Sequence, residues 1–200
     1  MGEHRLTRRI GSPVRKLIVG ISGSSGAIYG VRLVEVLSSV PDVETHVVVS
    51  SGAEATISYE TDRDPARVHA LADHVYGNSK VGATLASGTF VTDGMIVAPC
   101  SMKTLSSIAN SYGNTLIARA ADVCLKERRK LVLVTRETPL HLGHLRLMSS
   151  VTEAGAVVLP PVPGFYMRPQ SVQNIVDHTV TKILDQFGIE TNLIERWAGI

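Results

Sequence analysis

Short aliphatic runs alternate with segments of helical periodicity along this 200-residue chain. The first run, residues 16–21, stops at a cluster of Gly and Ser, after which apolar positions recur at Val31, Val34 and Leu37 with the spacing of a helix. Four later runs also have the character of strands: residues 44–49, 95–98, 131–134 and 156–159. Because strands that alternate with helices pack as a sheet between helical layers, this pattern predicts an α/β fold with a mostly parallel sheet.

The segments between and after these strands carry helix signals. Ser101 is a good N-cap for one helix, and Gly155 is a good stop for another. The last segment repeats its apolar residues at helical spacing, which predicts an amphipathic C-terminal helix. The predicted helices after the first span residues 53–59, 65–72, 101–109, 114–125, 140–154 and 170–187, whereas residues 77–93, rich in Gly, Ser and Thr, are predicted to be irregular.

Composition narrows the class of protein. Hydrophobic residues make up 44% of the chain and aromatic residues 4%, which suits a globular domain with an aliphatic core. The net charge of +2 is too small to indicate binding to nucleic acid or to an anionic membrane, and no apolar run reaches the ~18 residues of a membrane span. Cys100 and Cys124 provide no disulfide framework, so we expect buried thiols in a reducing compartment and a cytoplasmic protein.

The first fifteen residues differ from the rest of the chain. They contain a single acidic residue, Glu3, and four arginines, Arg5, Arg8, Arg9 and Arg15. A transit peptide has this character too, but we favour a disordered basic leader over residues 1–15 and a single domain over residues 16–200.

The loop that follows the first predicted strand suits an anion. Glycines in residues 22–26 allow the backbone to approach a ligand, and the free N–H groups at the start of the next helix favour negative charge. A nucleotide phosphate is therefore expected there. The loop lacks the closing Gly-Lys-Ser/Thr of a Walker A motif and is no clean G-x-G-x-x-G, so a glycine-rich turn that binds no ligand remains the alternative.

Polar residues follow every predicted strand. In open α/β sheets ligands gather beyond the carboxyl ends of the strands. Hydroxyls, backbone N–H groups and cations brought together there would suit a phosphorylated cofactor and a second anion. Taken singly, each group also has a structural explanation, such as a helix cap at Ser101 or an exposed pair at Arg136 and Glu137. The segments concerned are residues 22–26, Ser50, residues 100–104, 135–139 and 165–169.

Other chemistry is less well supported. His141 and His144, with Glu137 upstream, have neither the H-E-x-x-H spacing nor an evident third strong ligand, so we predict no metal. The loop at residues 23–26 does not form the G-x-S-x-G elbow of a hydrolase. Cys100 lies where a helix N-terminus would favour a thiolate, although a small buried residue is the preferred interpretation.

Six segments, taken together and in order, resemble the flavin prenyltransferases, the UbiX-like family. The resemblance extends from about residue 16 to about residue 197, and the combined set is highly specific. The segments are residues 20–30 (GISGSSGAIYG), 99–104 (PCSMKT), 119–122 (RAAD), 125–129 (LKERR), 136–140 (RETPL) and 163–166 (PGFY).

The resemblance implies a fold and a reaction. The fold is a three-layer, Rossmann-like or flavodoxin-like flavoprotein, assembled into a homododecamer with sites between subunits. The reaction joins the dimethylallyl group of dimethylallyl monophosphate to N5 and C6 of reduced FMN, without a metal. The product, prenylated FMN, serves a separate UbiD-like decarboxylase, in ubiquinone biosynthesis or in aromatic-acid breakdown. The residues do not show which of these pathways uses the product. They also do not show whether the donor is the monophosphate or the diphosphate.

The resemblance also implies site residues. Ser25 and Glu60 match a serine and a glutamate near flavin N5 that handle protons; with Lys126 and Glu137 they form the expected catalytic set. Lys182 stands where relatives carry arginine, and it keeps the charge but not the bidentate fork. The expected FMN contacts are Gly23, Ser24, Ser25, Ser50, Ser101, Met102, Lys103, Thr104, Arg119 (across a subunit interface) and Arg136. The expected prenyl-phosphate contacts are Lys126, Arg136, Glu137, Tyr166 and Lys182.

Two other functions compete with prenyl transfer. An FMN-dependent cysteine decarboxylase of the same superfamily would bind FMN similarly, but the cations Lys126, Arg136 and Lys182 favour a phosphate co-substrate. A non-catalytic carrier of prenylated flavin would not require Glu60 together with Ser25.

Overall fold

A computed structural model describes residues 13–197 and 199. Within them six strands form one sheet, every neighbouring pair is parallel, and the order is β3-β2-β1-β4-β5-β6. This is the doubly wound Rossmann order, in which the chain reverses direction across the sheet between β1 and β4. The predicted fold class is confirmed. The strands are β1 (Arg15–Ile21), β2 (Val43–Val49), β3 (His74–Gly77), β4 (Gly94–Cys100), β5 (Lys130–Thr135) and β6 (Val157–Val158).

Helices cover both faces of the sheet. Alternate residues of β1 point to opposite faces, so Leu17 and Val19 join one apolar core while Ile18 joins the other. The first core is closed by α1 (Ala27–Leu37), α2 (Ser51–Glu60), α3 (Pro65–Ala70) and α7 (Val172–Asp185). The second is closed by α4 (Met102–Ala109), α5 (Leu116–Lys126) and α6 (Leu142–Glu153), with a 3₁₀ turn at Thr84–Ala86.

The structure departs from the predicted elements mainly at β3. Residues 77–93 were predicted to be irregular, and no strand was predicted before them. β3 lies at the edge of the sheet with most of its side chains exposed, so no apolar run marks it in the sequence. The helix predicted from Asn114 instead has Thr115 as its N-cap, and α7 begins after the N-cap Ser171.

The described residues include only the end of the predicted leader. Its residues 1–12 lie outside the described part of the chain. Arg15 is the first residue of β1: its backbone N–H donates to the Asp42 carbonyl at 2.9 Å and its Nη1 to the Phe187 carbonyl at 2.8 Å. The leader and the single domain stay predictions, with the first strand beginning at residue 15. None of the described helices is long and apolar enough to cross a membrane.

Candidate active site at the carboxyl ends of the strands

Backbone hydrogen bonds tie four strand ends together at one edge of the sheet. The Ser50 amide, after β2, donates to the Ile21 carbonyl at 3.0 Å. The Ser22 amide, after β1, donates to the Pro99 carbonyl at 3.2 Å, and the Arg136 amide, after β5, donates to the Cys100 carbonyl at 3.3 Å. Four of the five segments predicted to carry the chemistry therefore meet, and these bonds do not involve the fifth, residues 165–169.

Ser22 is a member of this edge that the sequence analysis did not single out. Its side chain is buried, and its Oγ donates to the Pro99 carbonyl and accepts from the Ser101 amide, both at 2.8 Å. It fastens the end of β1 to the start of α4. Nothing in the sequence distinguishes Ser22 from the other serines of its loop.

The glycines of the first loop are required by space and by backbone conformation. A Cβ on Gly23 would lie 2.9 Å from the carbonyl carbon of Gly52, at the start of α2. Gly26 is the N-cap of α1 with φ 97°, a left-handed conformation that favours glycine. The two loops after β1 and β2 therefore touch backbone to backbone.

Glu60 occupies the place that was expected for a phosphate. At the end of α2, its Oε2 accepts from the amides of Gly26 and Ala27, at 2.7 and 3.2 Å. These amides belong to the N-cap and the first residue of α1, so the Glu60 carboxylate is the anion at this helix N-terminus. A phosphate bound to these amides would have to displace the Glu60 carboxylate, and the expectation of a phosphate here stays a prediction.

The surroundings of Glu60 keep it ionised. Partial burial acts to raise the pKa of Glu60, but hydrogen bonds from the Ser25 side chain and from the Gly26 and Ala27 amides, with the charge of Arg136, outweigh it and lower the pKa below its ordinary value. Arg136 belongs to the same group, because its Nε donates to the Ser25 carbonyl at 3.0 Å. The structure thus brings Ser25, Glu60 and Arg136 together.

The start of α4 offers a second anion site at the same edge. Ser101 caps the helix: its Oγ accepts from the Thr104 amide at 3.2 Å. The amides of Met102 and Lys103 precede the first complete turn and have no intrahelical acceptor. Ser50 caps α2 in the same way, accepting from the Ala53 amide at 3.1 Å. The cap and a phosphate site are therefore compatible at α4.

Among the described residues, the side chains of Ser24 and Glu137 have no hydrogen bond to another predicted site residue. The Ser24 Oγ is buried and has no hydrogen-bond partner among the described residues. Glu137 is exposed and, among the described residues, accepts the amide of Thr138 alone, at 3.1 Å. No ion pair joins Glu137 to Arg136 in the described part of the chain.

Tyr166 and Lys182 lie along α7, beside His178. The Tyr166 OH is 3.1 Å from His178 Nε2, and the Tyr166 ring packs edge-on against His178 and Trp197, with centroids 5.9 and 5.7 Å apart. Burial, and secondly the charge of Lys182 one turn away, lower the pKa of His178, so it is neutral near pH 7. Neither His178 nor Trp197 was predicted as a site residue, since no motif in the sequence marks them.

Lys126 lies at the opposite end of the sheet, near the amino ends of the strands. It ends α5, which runs about 16 Å back from the carboxyl edge, and it pairs with Glu127 close to Gly88. Arg129 donates to the Gly88 and Phe90 carbonyls, and Phe90 lies under Lys16 at the start of β1. One copy of the chain therefore does not place Lys126 beside Arg136.

Arg119 also points away from the site of its own chain. Its Nε donates to the Ala86 carbonyl at 3.2 Å, and its Nη1 pairs with Asp122 at 2.9 Å. These contacts hold the guanidinium against the 3₁₀ turn, on the outer side of α5. Neither Arg119 nor Lys126 is thus joined to Ser25, Glu60 or Arg136 by a described contact. Lys182 shares the placement of Lys126, because it lies in the last turn of α7, one turn before Gln186, whose carbonyl accepts from Lys130 Nζ at the start of β5.

The cysteines and the histidine pair have structural surroundings. Burial raises the pKa of Cys100 and of Cys124 to about 12, which confirms buried thiols. The ring centroids of His141 and His144 lie 3.6 Å apart with the planes tilted by 32°, and His141 Nδ1 caps α6 by accepting the Gly143 amide at 3.0 Å. Within the described residues, the three-ligand cluster lies elsewhere, on β2 and β3.

Comparisons with known proteins identify relatives of this chain. Residues 8–184 match the family model described as Flavoprotein. The chain is 56% identical over 188 residues to the flavin prenyltransferase UbiX of Escherichia coli K12, an alignment that covers 93% of this chain and 100% of that protein.

Solved structures extend the comparison. A crystal structure of AnUbiX (PadA1) in complex with FMN and dimethylallyl pyrophosphate has a TM-score of 0.91 at 50% identity, covering 93% of this chain and 98% of that one. A crystal structure of a dodecameric FMN-dependent UbiX-like decarboxylase from Escherichia coli O157:H7 has a TM-score of 0.90 at 50% identity. It covers 92% of this chain and 100% of that one. The FMN-dependent cysteine decarboxylase TvaF matches at 16% identity with a TM-score of 0.59, covering 72% and 88%, which shows the shared fold alone.

Proposed function

This chain belongs to the Flavoprotein family and, within it, to the UbiX-type flavin prenyltransferases, and from that premise we propose that it transfers the dimethylallyl group of dimethylallyl monophosphate to reduced FMN. In that reaction N5 of reduced FMN bonds to the allylic carbon as the phosphate leaves, and closure onto C6 gives prenylated FMN. The observation that carries the proposal is the group formed by Ser25, Glu60 and Arg136 at the carboxyl edge, in a chain similar to these enzymes over nearly its whole length.

The donor set at the carboxyl edge fits a flavin mononucleotide. We assign the phosphate to the start of α4, where the Met102 and Lys103 amides, with Thr104, present donors to an anion. Ser50 lies on the neighbouring loop, and the buried, unpartnered Ser24 Oγ supplies a hydroxyl for the cofactor. The start of α4 is preferred to the first turn of α1 because Glu60 already accepts from the Gly26 and Ala27 amides.

Glu60 is suited to accept a proton. It is ionised at neutral pH, and the amides of α1 fix one of its oxygens in place. Ser25 bonds to the same carboxylate, so the pair forms a short path for the proton that N5 loses on alkylation. A carrier of a finished cofactor would have no use for such a base.

The leaving phosphate needs cations and hydroxyls. Arg136, Tyr166 and Lys182 are the donors we assign to it, with Glu137 beside them, since charge that develops on the phosphate oxygens is stabilised by such groups. Lys126 and Lys182 lie in the last turns of α5 and α7, far from Arg136 within one chain, so we assign both to sites shared with a neighbouring copy, and Arg119 likewise. A homo-oligomer is therefore part of the proposal, and the dodecamer of the Escherichia coli relative is the expected form.

The chemistry of prenyl transfer also suggests the recipient of the product and the cellular compartment. The product would pass to a UbiD-like decarboxylase, which uses prenylated flavin and does not make it. Reduced flavin and the two free thiols fit a reducing compartment, so we place the protein in the cytoplasm. The cysteine-decarboxylase alternative is not favoured, because its resemblance is confined to the fold.

The direct test is prenylation of FMN by the purified protein. FMN is reduced anaerobically, the donor is added, and the extracted flavin is weighed by mass spectrometry. A flavin heavier by one isoprenyl unit, absent without protein, supports the proposal. Both the monophosphate and the diphosphate are tried, since the AnUbiX crystal contained the diphosphate. Unmodified FMN with both donors, from protein that binds FMN, contradicts it.

A further inference from the structure

Three ligating side chains converge on one face of the sheet, away from the carboxyl edge. Glu44 and His46 alternate along β2 and so point to the same face. His74 is the register partner of His46 on β3, and their rings stack 4.7 Å apart. A residue pair at i and i+2 on one strand, with a third residue directly across on the next, places three donors around one point.

The distances between the donor atoms are those of a chelating group. Glu44 Oε1 lies 3.0 Å from His46 Nε2 and 3.1 Å from His74 Nε2, and all three atoms lie within 4.8 Å of one another. In a tetrahedral zinc site with bonds near 2.1 Å, neighbouring ligand atoms are about 3.4 Å apart. Two of the three separations are already close to that value.

The orientation of His46 separates this cluster from an ordinary ion pair. Its side chain is 2% exposed, and its Nε2 is buried without a correctly aligned hydrogen bond, although the carboxylate oxygen is only 3.0 Å away. Ligands of one ion have this relationship, because their lone pairs point at the ion and not at each other. The other ring nitrogen, Nδ1, lies 3.0 Å from the Tyr76 OH, the outer hydrogen bond that orients a metal-binding histidine.

We propose that Glu44, His46 and His74 bind one divalent transition-metal ion of the zinc class, with water completing its coordination. Two imidazoles and one carboxylate are a donor set that zinc prefers. The ion would fasten the edge strand β3 to β2. The cluster lies on the opposite half of β2 from Ser50, so the site is structural and takes no part in prenyl transfer.

Two features limit the affinity of this cluster for a metal ion. Lys16 is the register partner of Glu44, and its ammonium, over the Phe90 ring at 5.0 Å, repels a cation. His74 is half exposed and must rotate inward before both Nε2 atoms bond to one ion. We therefore expect a micromolar and not a nanomolar dissociation constant, with a solvent-exposed entry beside His74.

The test measures Zn²⁺ binding to the full chain by calorimetry, after chelation and dialysis. We expect one ion per chain, with affinity reduced at least tenfold in His74→Asn and in Glu44→Gln. His141→Asn is the matched control, since it removes a histidine from the His141–His144 pair and keeps a helix cap. Buried His46 is left intact, and retained FMN binding checks the fold of each variant.

Two outcomes overturn the proposal: no Zn²⁺ binding by the wild-type chain at about 100 µM, or equal binding by the wild type and both site variants. A second measurement needs no variant. Zn²⁺ should protect His74, but not His141, from acylation by diethylpyrocarbonate, mapped by mass spectrometry, and equal labelling of His74 with and without Zn²⁺ also contradicts the site. Prenylation by chelator-treated protein should be unchanged, which separates this site from the proposed activity.

Discussion

Glu60 Oε2 accepts the amide hydrogen of Gly26 at 2.7 Å, which joins the end of α2 to the first turn of α1 across 34 residues. The bond places a carboxylate at the positive end of α1 and next to Ser25 and Arg136. A helix N-terminus of this kind is commonly assigned to a phosphate. Here it holds a carboxylate, and for that reason we propose Glu60 as the proton acceptor and the start of α4 as the phosphate site.

Replacing Glu60 by Gln should separate chemistry from binding. The amide can still accept a hydrogen bond from Gly26, but it cannot take up a proton, so prenyl transfer should fall by at least about 100-fold while FMN binding is retained. Glu54→Gln, an exposed change on the same helix, is the control. Transfer rates are followed by mass spectrometry of the flavin, and wild-type turnover in Glu60→Gln would remove Glu60 from the reaction.

The contribution of Glu60 to stability should depend on pH with a defined sign. Because its folded-state pKa is lowered, ionised Glu60 stabilises the fold fully above the ordinary carboxyl pKa, and that stabilisation is lost as the pH falls through the lowered value. The effect should stay below about 1 kcal/mol, since Glu60 is exposed. Melting temperatures of wild type and Glu60→Gln should therefore differ most at neutral pH and converge in acid. A difference that grows toward low pH contradicts this account.

Lys126 should act on a site in a neighbouring copy. Lys126→Ala should be inactive in prenyl transfer while binding FMN, and Lys80→Ala, another exposed lysine, should be active. Oligomers assembled from equal amounts of Lys126→Ala and Glu60→Gln chains should recover activity, because about a quarter of randomly mixed sites contain both intact residues. Mixed oligomers that remain as inactive as their parents would place both residues in one chain's site.

Tyr166→Phe should weaken donor binding more than turnover. The change removes the hydroxyl that bonds to His178 and leaves the ring packing in place. One hydrogen bond is worth about 0.5–1.5 kcal/mol, so KM for the prenyl donor should rise about 2- to 12-fold with a smaller effect on kcat. Exposed Tyr112→Phe is the control. Unchanged KM for the donor would exclude Tyr166 from the phosphate site.

Gly30→Ala should destabilise the protein although alanine favours a helix. A Cβ on Gly30 would lie 2.2 Å from the Ala98 carbonyl oxygen, where α1 packs on β4. The clash should cost about 1–3 kcal/mol, more than the gain of about 1 kcal/mol in helix propensity. Gly82→Ala, where a Cβ meets nothing within 4 Å, should leave the melting temperature unchanged. Equal melting temperatures for the two variants would contradict this packing.

Local pattern was sufficient for most of the fold. The strand at residues 16–21, the cap at Ser101 and the stop at Gly155 were predicted because burial and capping act within a few residues. β3 was not predicted, because its side chains lie at an exposed edge and leave no apolar run. The mostly parallel sheet followed from the alternation of strands and helices, whereas the resemblance implied a Rossmann-like or flavodoxin-like fold and the strand order itself came from the structure.

The candidate site, too, was only partly predictable from the sequence. The order of residues is enough to identify the residue types that follow each strand, and the resemblance of its motifs named Ser25, Glu60 and Arg136. Three further relationships come from the folded chain: Glu60 accepts the first amides of α1, Arg136 reaches the Ser25 carbonyl from 111 residues away, and Lys126 lies at the opposite end of the sheet. The reason is physical: caps and periodicity are short-range, whereas contacts between distant residues arise only when helices pack on the sheet and fix where each chain segment ends.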